Sequence, residues 1–299
     1  MASFCLKTNK SVNVMTGINM FKNHVEFDGI NITVDGFYGK KGLQNVMPIF
    51  FEEQPITWLL FKDLLKNKFK SKYIKILDVG CGCGFWAILL KKKFINSKVW
   101  AIDKNKKAIA YTLKNALNNK VYINTVHTKY NFSNFARNSF DLVILSPPYH
   151  IYPPEIKDKV PYFARGGSDG QTEFVNQLEI AEYHLKKEGL ILFNMMCIGD
   201  QIGPKYLEYI SQIFKNKLYL RYYNIFEPIA TRTFITGVYP FKKDNNYLLQ
   251  IIKNHPFLYY TSGVIERDKN KEILQLKNEI NLKRSWKDRI ELHKEINKF

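Results

Sequence analysis

Short apolar runs alternate with segments of helical periodicity through the middle of the chain. Strands are predicted at 73–79, 99–103, 121–126, 140–145 and 190–195, and helices at 85–94, 106–118 and 172–186. This alternation predicts βαβ units, and therefore an α/β fold with a doubly wound, mostly parallel sheet. The continuous apolar run at 142–145 predicts a strand buried on both faces.

The two ends of the chain follow different patterns. Residues 1–50 contain short β-like pieces separated by glycines, which predicts a small β-rich lead-in. Beyond residue 200 the pattern predicts a helix at 204–214 and strands at 218–225, 234–239 and 247–252, the last two paired as a hairpin. After Gly263 the chain has neither glycine nor proline, and apolar residues recur between charges at Ile273, Leu276, Ile280, Leu282, Trp286, Ile290 and Ile296. This favours an amphipathic helix or helix pair, packed on its own core or on a dimer partner, or serving as a basic clamp for nucleic acid.

The strong positive charge has two readings. The 45 basic and 27 acidic residues give a formal net charge of +18. Such a balance favours a nucleic-acid partner, because lysines neutralise phosphates. Lysine, asparagine and isoleucine also have AT-rich codons, so codon bias explains the same composition.

The cysteines and the hydropathy indicate the compartment. Cys5, Cys81, Cys83 and Cys197 lack disulfide or zinc spacing, and no run of 18 apolar residues occurs. A cytoplasmic protein in a reducing compartment, without a metal site or a membrane anchor, is therefore expected. The oligomeric state is not indicated by the sequence.

A glycine-rich turn follows the first strand of the βαβ series. The run from Asp78 to Gly84 reads DVGCGCG, and Phe85 breaks the dinucleotide-binding pattern, which requires a third small residue there. The turn resembles motif I of the class I S-adenosylmethionine-dependent methyltransferases, which implies a Rossmann-like sheet of seven strands. The resemblance implies S-adenosyl-L-methionine as the cofactor, bound by Asp78, Gly80, Cys81, Gly82 and Gly84.

Two further positions are assigned to the cofactor through that resemblance. Asp103 ends the second strand, where the family places an acid that accepts both ribose hydroxyls; the other interpretation of Asp103 is a helix N-cap. After the third strand the family often has an acid facing the adenine amino group. The position here is Tyr130 or Asn131, and Asn131 is the candidate acceptor.

The fourth strand ends in a second motif, Ser146-Pro147-Pro148-Tyr149. It resembles motif IV of methyltransferases that modify planar nitrogens, either nucleobase amino groups or the glutamine amide. The Ser146 oxygen and the Pro147 carbonyl are expected to accept the two N–H bonds of the target, Pro148 to fix the backbone and Tyr149 to stack on the substrate. The run Gly166-Gly167-Ser168-Asp169-Gly170 resembles a segment of the glutamine branch, and Asp169 is either an N-cap or a substrate contact.

Together these assignments divide the chain into residues 1–50, a methyltransferase domain at 51–255, and a basic helical extension at 256–299. The expected activity is N-methylation of a nucleobase or of a protein glutamine, with a nucleic acid or a component of the translation machinery as partner. The alternatives are a small-molecule methyltransferase and a cofactor-binding scaffold without turnover.

Overall fold

The computed structural model describes residues 24–35, 43–46, 49–128, 135–240, 245–280, 282 and 285–296. Its strands are β1 (His24–Phe27), β2 (Ile30–Thr33), β3 (Ile74–Val79), β4 (Ser97–Asp103), β5 (Asn124–His127), β6 (Phe140–Leu145), β7 (Leu185–Gly199), β8 (Leu218–Ala230), β9 (Phe257–Arg267) and β10 (Lys271–Leu276). Its α-helices are α1 (Gln54–Lys68), α2 (Phe85–Lys93), α3 (Lys106–Asn118), α4 (Thr172–His184), α5 (Tyr206–Ile213), α6 (Thr231–Val238), α7 (Asn246–Asn254) and α8 (Trp286–Ile296).

The predicted α/β fold is confirmed, and one large sheet organises it. Its eight strands run in the order β10-β8-β9-β7-β6-β3-β4-β5. Strands β5, β4, β3, β6 and β7 are mutually parallel, whereas β9 is antiparallel to both β7 and β8. The chain leaves β3 toward β4 on one side and later returns to β6 on the other, so the carboxyl ends of β3, β4 and β6 border the switch point where such sheets bind ligands.

Both faces of the sheet are covered, as the apolar run at 142–145 predicts. Leu142 and Ile144 pack into one apolar cluster, and Val143 and Leu145 pack into the other. Successive side chains of a strand point to opposite faces, so this alternation places β6 between two apolar layers. The site-forming turns therefore stand on a rigid central strand.

Two predicted strands after residue 230 are wrong. The segments predicted as strands at 234–239 and 247–252 are the helices α6 and α7. Phe234, Ile235 and Val238 are buried at helical spacing, as are Leu248 and Ile251. Their aromatic and β-branched residues suggested strands, but burial on one face of a helix overrides that weak preference.

The segment predicted to be wholly helical after residue 256 begins with two strands. β9 lies inside the sheet, and β10 adds an eighth strand, parallel to β8, where seven were expected. β10 alternates little and carries charges, which is typical of an edge strand. The amphipathic helix is present as α8, which packs on α6. The division at residues 50 and 255 stays a prediction.

Two small elements precede the sheet. β1 and β2 form an antiparallel hairpin, consistent with the predicted strand near residue 30. The hairpin is attached to α3, since the side chains of Asn115 and Asn119 bond the backbone of Thr33 and Asn31. Within the described residues, no helix combines the length and the hydropathy needed to cross a membrane.

Candidate active site

The glycine-rich turn between β3 and α2 has the backbone that its sequence predicts. Gly80, Gly82 and Gly84 have φ of +74°, +55° and +84°, a region that L side chains rarely adopt. A Cβ on Gly84 would also lie 3.0 Å from the side chain of Thr112, so this glycine lets α2 approach α3 closely. Gly80 and Gly82 line a cavity at the carboxyl edge of the sheet, whereas Gly84 is behind it.

Asp103 ends β4 beside this turn and holds it in place. Its carboxylate accepts hydrogen bonds from the backbone N–H of Gly82, at 3.0 Å, and of Asn105, at 2.8 Å. The N-cap of α3 is Asn105, whose side-chain oxygen accepts from the N–H of Lys107. Burial raises the pKa of Asp103, and its remaining lone pairs face the same cavity as the glycine turn.

Asp78 is the more deeply buried of the two carboxylates. It accepts one hydrogen bond, from the N–H of Ala87 at 3.1 Å, in the first turn of α2. Burial, together with the neighbouring Asp103, raises its pKa to about 7, although the hydrogen bond from Ala87 opposes that rise. A cation placed in the cavity would stabilise the ionised form of this carboxyl group.

The remaining cofactor candidates differ in what the structure says of them. The thiol of Cys81 is buried and lies 3.3 Å from the hydroxyl of Thr112, and its backbone N–H donates to the carbonyl oxygen of Ile102, so its cofactor role stays a prediction. Asn131 and Tyr130 lie outside the described residues. Gln177 was not predicted; its buried side-chain oxygen, on the cavity wall near Gly80, has no partner within the described part of the chain.

Ser146 stands at the end of β6, one strand away from the glycine turn. Its hydroxyl donates to the side-chain oxygen of Asn194 at 2.7 Å and accepts from the indole N–H of Trp86 at 3.1 Å. Trp86 belongs to the first turn of α2, directly after the glycines. The two motifs are thus linked through one side chain.

Tyr149 closes the second motif and is tied by its hydroxyl. It donates to a carboxylate oxygen of Glu53 at 2.5 Å and accepts from the guanidinium of Arg289. The side chain is buried, and burial raises its pKa well above the ordinary value. The hydrogen bonds of the hydroxyl hold the ring in place. The stacking role of Tyr149 stays a prediction.

The Gly166–Gly170 segment lies directly against the second motif. A Cβ on Gly166 would be 2.7 Å from the Cα of Tyr149 and 2.8 Å from the carbonyl oxygen of Pro148. A Cβ on Gly170 would be 2.6 Å from the carbonyl oxygen of Tyr149. These glycines therefore permit close backbone approach behind Pro148 and Tyr149, and Asp169 accepts from the N–H of Gln171 rather than capping α4.

A buried charged cluster completes the wall and was missed by sequence reasoning. Arg289 of α8 is 1% exposed and bonds Glu53 at 2.9 Å and Glu52 at 3.3 Å. His293, one turn further along α8, contacts His150 through the Nδ1 atoms, and burial lowers its pKa well below the ordinary value. The four-residue spacing of Arg289 and His293 places both on one face of a helix, which the sequence does indicate. It does not indicate which residues they contact.

The structure brings most of the predicted site residues together around the cavity. Its wall includes Asp78, Gly80, Cys81, Gly82, Asp103, Ser146, Pro147, Pro148 and Tyr149, with the unpredicted Glu53, Trp86, Gln177, Asn194, Arg289 and His293. Gly84 is excluded and Asn131 is outside the described residues. Within the residues that the structure describes, no group of side chains suits a metal ion.

Comparison with known proteins finds similarity over the region that contains these motifs. Residues 56–160 match the model of the methyltransferase small domain. The release factor glutamine methyltransferase of Flavobacterium psychrophilum is 30% identical over 173 residues, which cover 55% of this chain and 59% of that protein. The ribosomal RNA small subunit methyltransferase C of Haemophilus influenzae is 34% identical over 95 residues, covering 30% of this chain and 26% of that one. The chain spans about half the length of the curated glutamine methyltransferases it matches.

A solved structure supports the same fold over a longer stretch. A protein of Listeria monocytogenes, provisionally assigned to the class I S-adenosylmethionine-dependent methyltransferases, superposes with a TM-score of 0.50. The match covers 87% of this chain and 73% of that one, at 14% identity.

Proposed function

We propose that this chain, whose residues 56–160 form a methyltransferase small domain of the class I S-adenosylmethionine-dependent type, transfers a methyl group to a planar nitrogen. The target is a protein glutamine amide or a nucleobase amino group. One observation carries the proposal: Ser146 bonds Trp86, so the nitrogen-binding motif stands next to the glycine turn, in the wall of one cavity.

The cofactor end of the cavity fits S-adenosylmethionine. Gly80 and Gly82 let a ligand approach the main chain, and Asp103 has lone pairs for two ribose hydroxyls. Asp78 and the unpartnered oxygen of Gln177 offer acceptors to an ammonium group. When bound, the cofactor supplies an electrophilic methyl group on a sulfonium.

The chain's own residues then act on the target nitrogen. An amide or aromatic amino nitrogen has its lone pair delocalised, so it is a poor nucleophile until the nitrogen becomes pyramidal. The Ser146 oxygen and the Pro147 carbonyl accept hydrogen bonds from its two N–H groups and orient the lone pair toward the cofactor end. As the nitrogen gains the methyl carbon, the bond from that carbon to sulfur breaks, and the nitrogen then releases one of its two protons to solvent. These bonds are stronger in the transition state than in the ground state, and positioning of this kind supplies roughly 7–11 kcal/mol.

The substrate partner is proposed to be a nucleic acid or a component of the translation machinery, met in the cytoplasm. The net charge of +18 favours an acidic partner. The named relatives modify release factors and ribosomal RNA, and both carry planar nitrogens of this chemistry.

Methyl transfer with a labelled cofactor tests the proposal. The protein is incubated with tritium-methyl S-adenosylmethionine and total RNA, DNA or protein, and label is counted in each fraction. We expect label in one fraction, and a strong loss of label with Ser146→Ala at unchanged calorimetric affinity for the cofactor. Ser211→Ala, on α5 and away from the cavity wall, is the matched control.

Each arm of this experiment has a decisive outcome. Label in protein identifies the amide, and label in RNA or DNA identifies the amino group. Equal labelling by the wild type and Ser146→Ala would contradict the role of the serine. No label in any fraction would contradict the proposed activity.

A further inference from the structure

The hydroxyl of Ser146 has a hydrogen-bond arrangement that leaves a single lone pair for a substrate. A serine hydroxyl carries one proton and two lone pairs. The indole N–H of Trp86 can only donate, so its bond at 3.1 Å uses one lone pair. The side-chain oxygen of Asn194 can only accept, so its bond at 2.7 Å takes the proton.

The direction of that proton decides whether Ser146 can serve a target N–H. A hydroxyl whose proton points into the cavity meets an N–H donor with another donor. A hydroxyl whose proton points at Asn194 presents an acceptor instead. The proposed chemistry needs the second arrangement, because the target nitrogen donates both of its protons.

Asn194 is well placed to impose this arrangement. It is 3% exposed and lies in the middle of β7, opposite Ser262 of β9 and directly after Phe193, the last residue of β7 that pairs with β6. Its side chain reaches the cavity wall beside Ser146. A buried amide in a rigid strand has little freedom to turn away.

We propose that Asn194 is a positioning residue that draws the Ser146 proton away from the substrate, so that Ser146 presents a lone pair to the target N–H. The inference rests on the proposed function for its kinetic meaning. Asn194 needs no contact with the substrate for this role, since it acts through Ser146.

Two variants at one position separate the acceptor role from packing. Asn194→Asp keeps an oxygen acceptor and removes the N–H donors, whereas Asn194→Leu has similar size and no hydrogen bond. With the labelled cofactor and the accepting fraction, we expect Asn194→Leu to lower kcat roughly 10- to 100-fold with little change in KM. We expect Asn194→Asp to retain most of the rate. Thr261→Val, a buried change on β9, is the control for packing.

A double variant shows whether the effect passes through the serine. If Asn194 acts only by orienting Ser146, then Ser146→Ala combined with Asn194→Leu is no slower than Ser146→Ala alone. Fully multiplicative losses would overturn the inference. So would an Asn194→Asp variant as slow as Asn194→Leu, because the amide would then be the donor to Ser146.

The hydrogen bond is also tested without turnover. The wild type, Ser146→Ala, Asn194→Leu and the double variant are unfolded in urea, and their unfolding midpoints are compared as a double-mutant cycle. We expect the two losses to be non-additive, and additive losses would overturn the inference whatever the activity. If the wild type labels no fraction, the proposed function fails while the unfolding cycle still decides whether Asn194 and Ser146 are coupled.

Discussion

The two ends of the cavity are built in opposite ways. At the cofactor end, Asp78, the glycine turn and Asp103 lie within one βαβ unit, so neighbouring segments of the chain make the site. At the substrate end, Tyr149 bonds Glu53, 96 residues away, and Arg289, 140 residues away. The first end follows from local sequence, and the second requires the whole fold.

The two ends also differ in charge balance. Asp78 is buried and Asp103 is half-buried, and neither has a bonded cation among the residues that the structure describes; burial raises the pKa of both. Glu52 and Glu53 have a buried cation of their own, Arg289. The cofactor end therefore suits a positively charged ligand, whereas at the substrate end the protein itself supplies one buried cation for two carboxylates.

The largest expected effect follows from removing the cation of the substrate end. Arg289→Met leaves Glu52 and Glu53 buried without their partner, and breaking a buried ion pair costs about 3–5 kcal/mol. Urea unfolding measures the loss of free energy. Lys287→Met, an exposed change on the same helix, is the control and should cost little.

The pairing itself is checked by a compensating change. Glu53→Gln removes one buried negative charge, so combining it with Arg289→Met should restore part of the lost stability. If Arg289→Met unfolds at the same urea concentration as Lys287→Met, then Arg289 does not stabilise the buried Glu52 and Glu53 as we propose.

A smaller effect is expected from the cofactor end. Asp103→Ala removes the carboxylate proposed to accept the ribose hydroxyls and also releases the N–H of Gly82. Loss of charge-assisted bonds should weaken S-adenosylmethionine binding by about 1.5–3 kcal/mol, measured by calorimetry. Asp141→Ala, near the start of β6 where Asp141 pairs with Lys186, is the control. Equal affinity of the wild type and Asp103→Ala would contradict the ribose contact.

The smallest effect is the pH dependence of that binding. The pKa of Asp78 is about 7, and a bound ammonium group favours its ionised form. Cofactor affinity should therefore rise as the pH increases from about 6 to about 8, by at most about tenfold over the whole interval, because the ionised fraction of such a group rises about tenfold there. Asp78→Asn should bind more weakly and flatten this dependence, and calorimetry at several pH values measures both.

The same shift has the opposite sign for folding without ligand. A carboxyl group whose folded pKa is raised from 3.8 to about 7 contributes stability that is full below pH 3.8 and lost as the pH rises through about 7.

For cofactor binding, an affinity that falls between about pH 6 and about pH 8, or that Asp78→Asn leaves unchanged, would contradict the assignment of Asp78 to the ammonium group.

The parts that sequence predicted are those with local causes. The glycine turn needs backbone angles that only glycine adopts readily, so Gly80, Gly82 and Gly84 identify it directly. Asp103 and Ser146 follow from the rule that ligands bind at the carboxyl ends of parallel strands. The strands around them are buried on both faces, and their apolar runs are therefore easily recognised.

The parts that sequence did not predict depend on partners distant in the chain. Arg289 is the only buried Lys or Arg side chain among the described residues of 256–299. Its neighbours in the sequence do not indicate that it bonds Glu53 and Tyr149. Asn194 lies inside an apolar strand, and the sequence alone does not indicate a partner for its amide. The partner, Ser146, is evident only from the fold. Helices α6 and α7 were wrongly predicted as strands because packing decides their conformation: α6 packs on β8, β9 and α8, and α7 packs on α6.

The position of α8 in the chain affects the order in which the protein matures during synthesis. The glycine turn and its neighbouring strands leave the ribosome long before Arg289 and His293 are added. Until α8 docks, Glu53 and the Tyr149 hydroxyl lack the guanidinium that joins them. A nascent chain can thus assemble the glycine turn and Asp103 early, whereas the contacts among Glu53, Tyr149 and Arg289 form only once α8 is present.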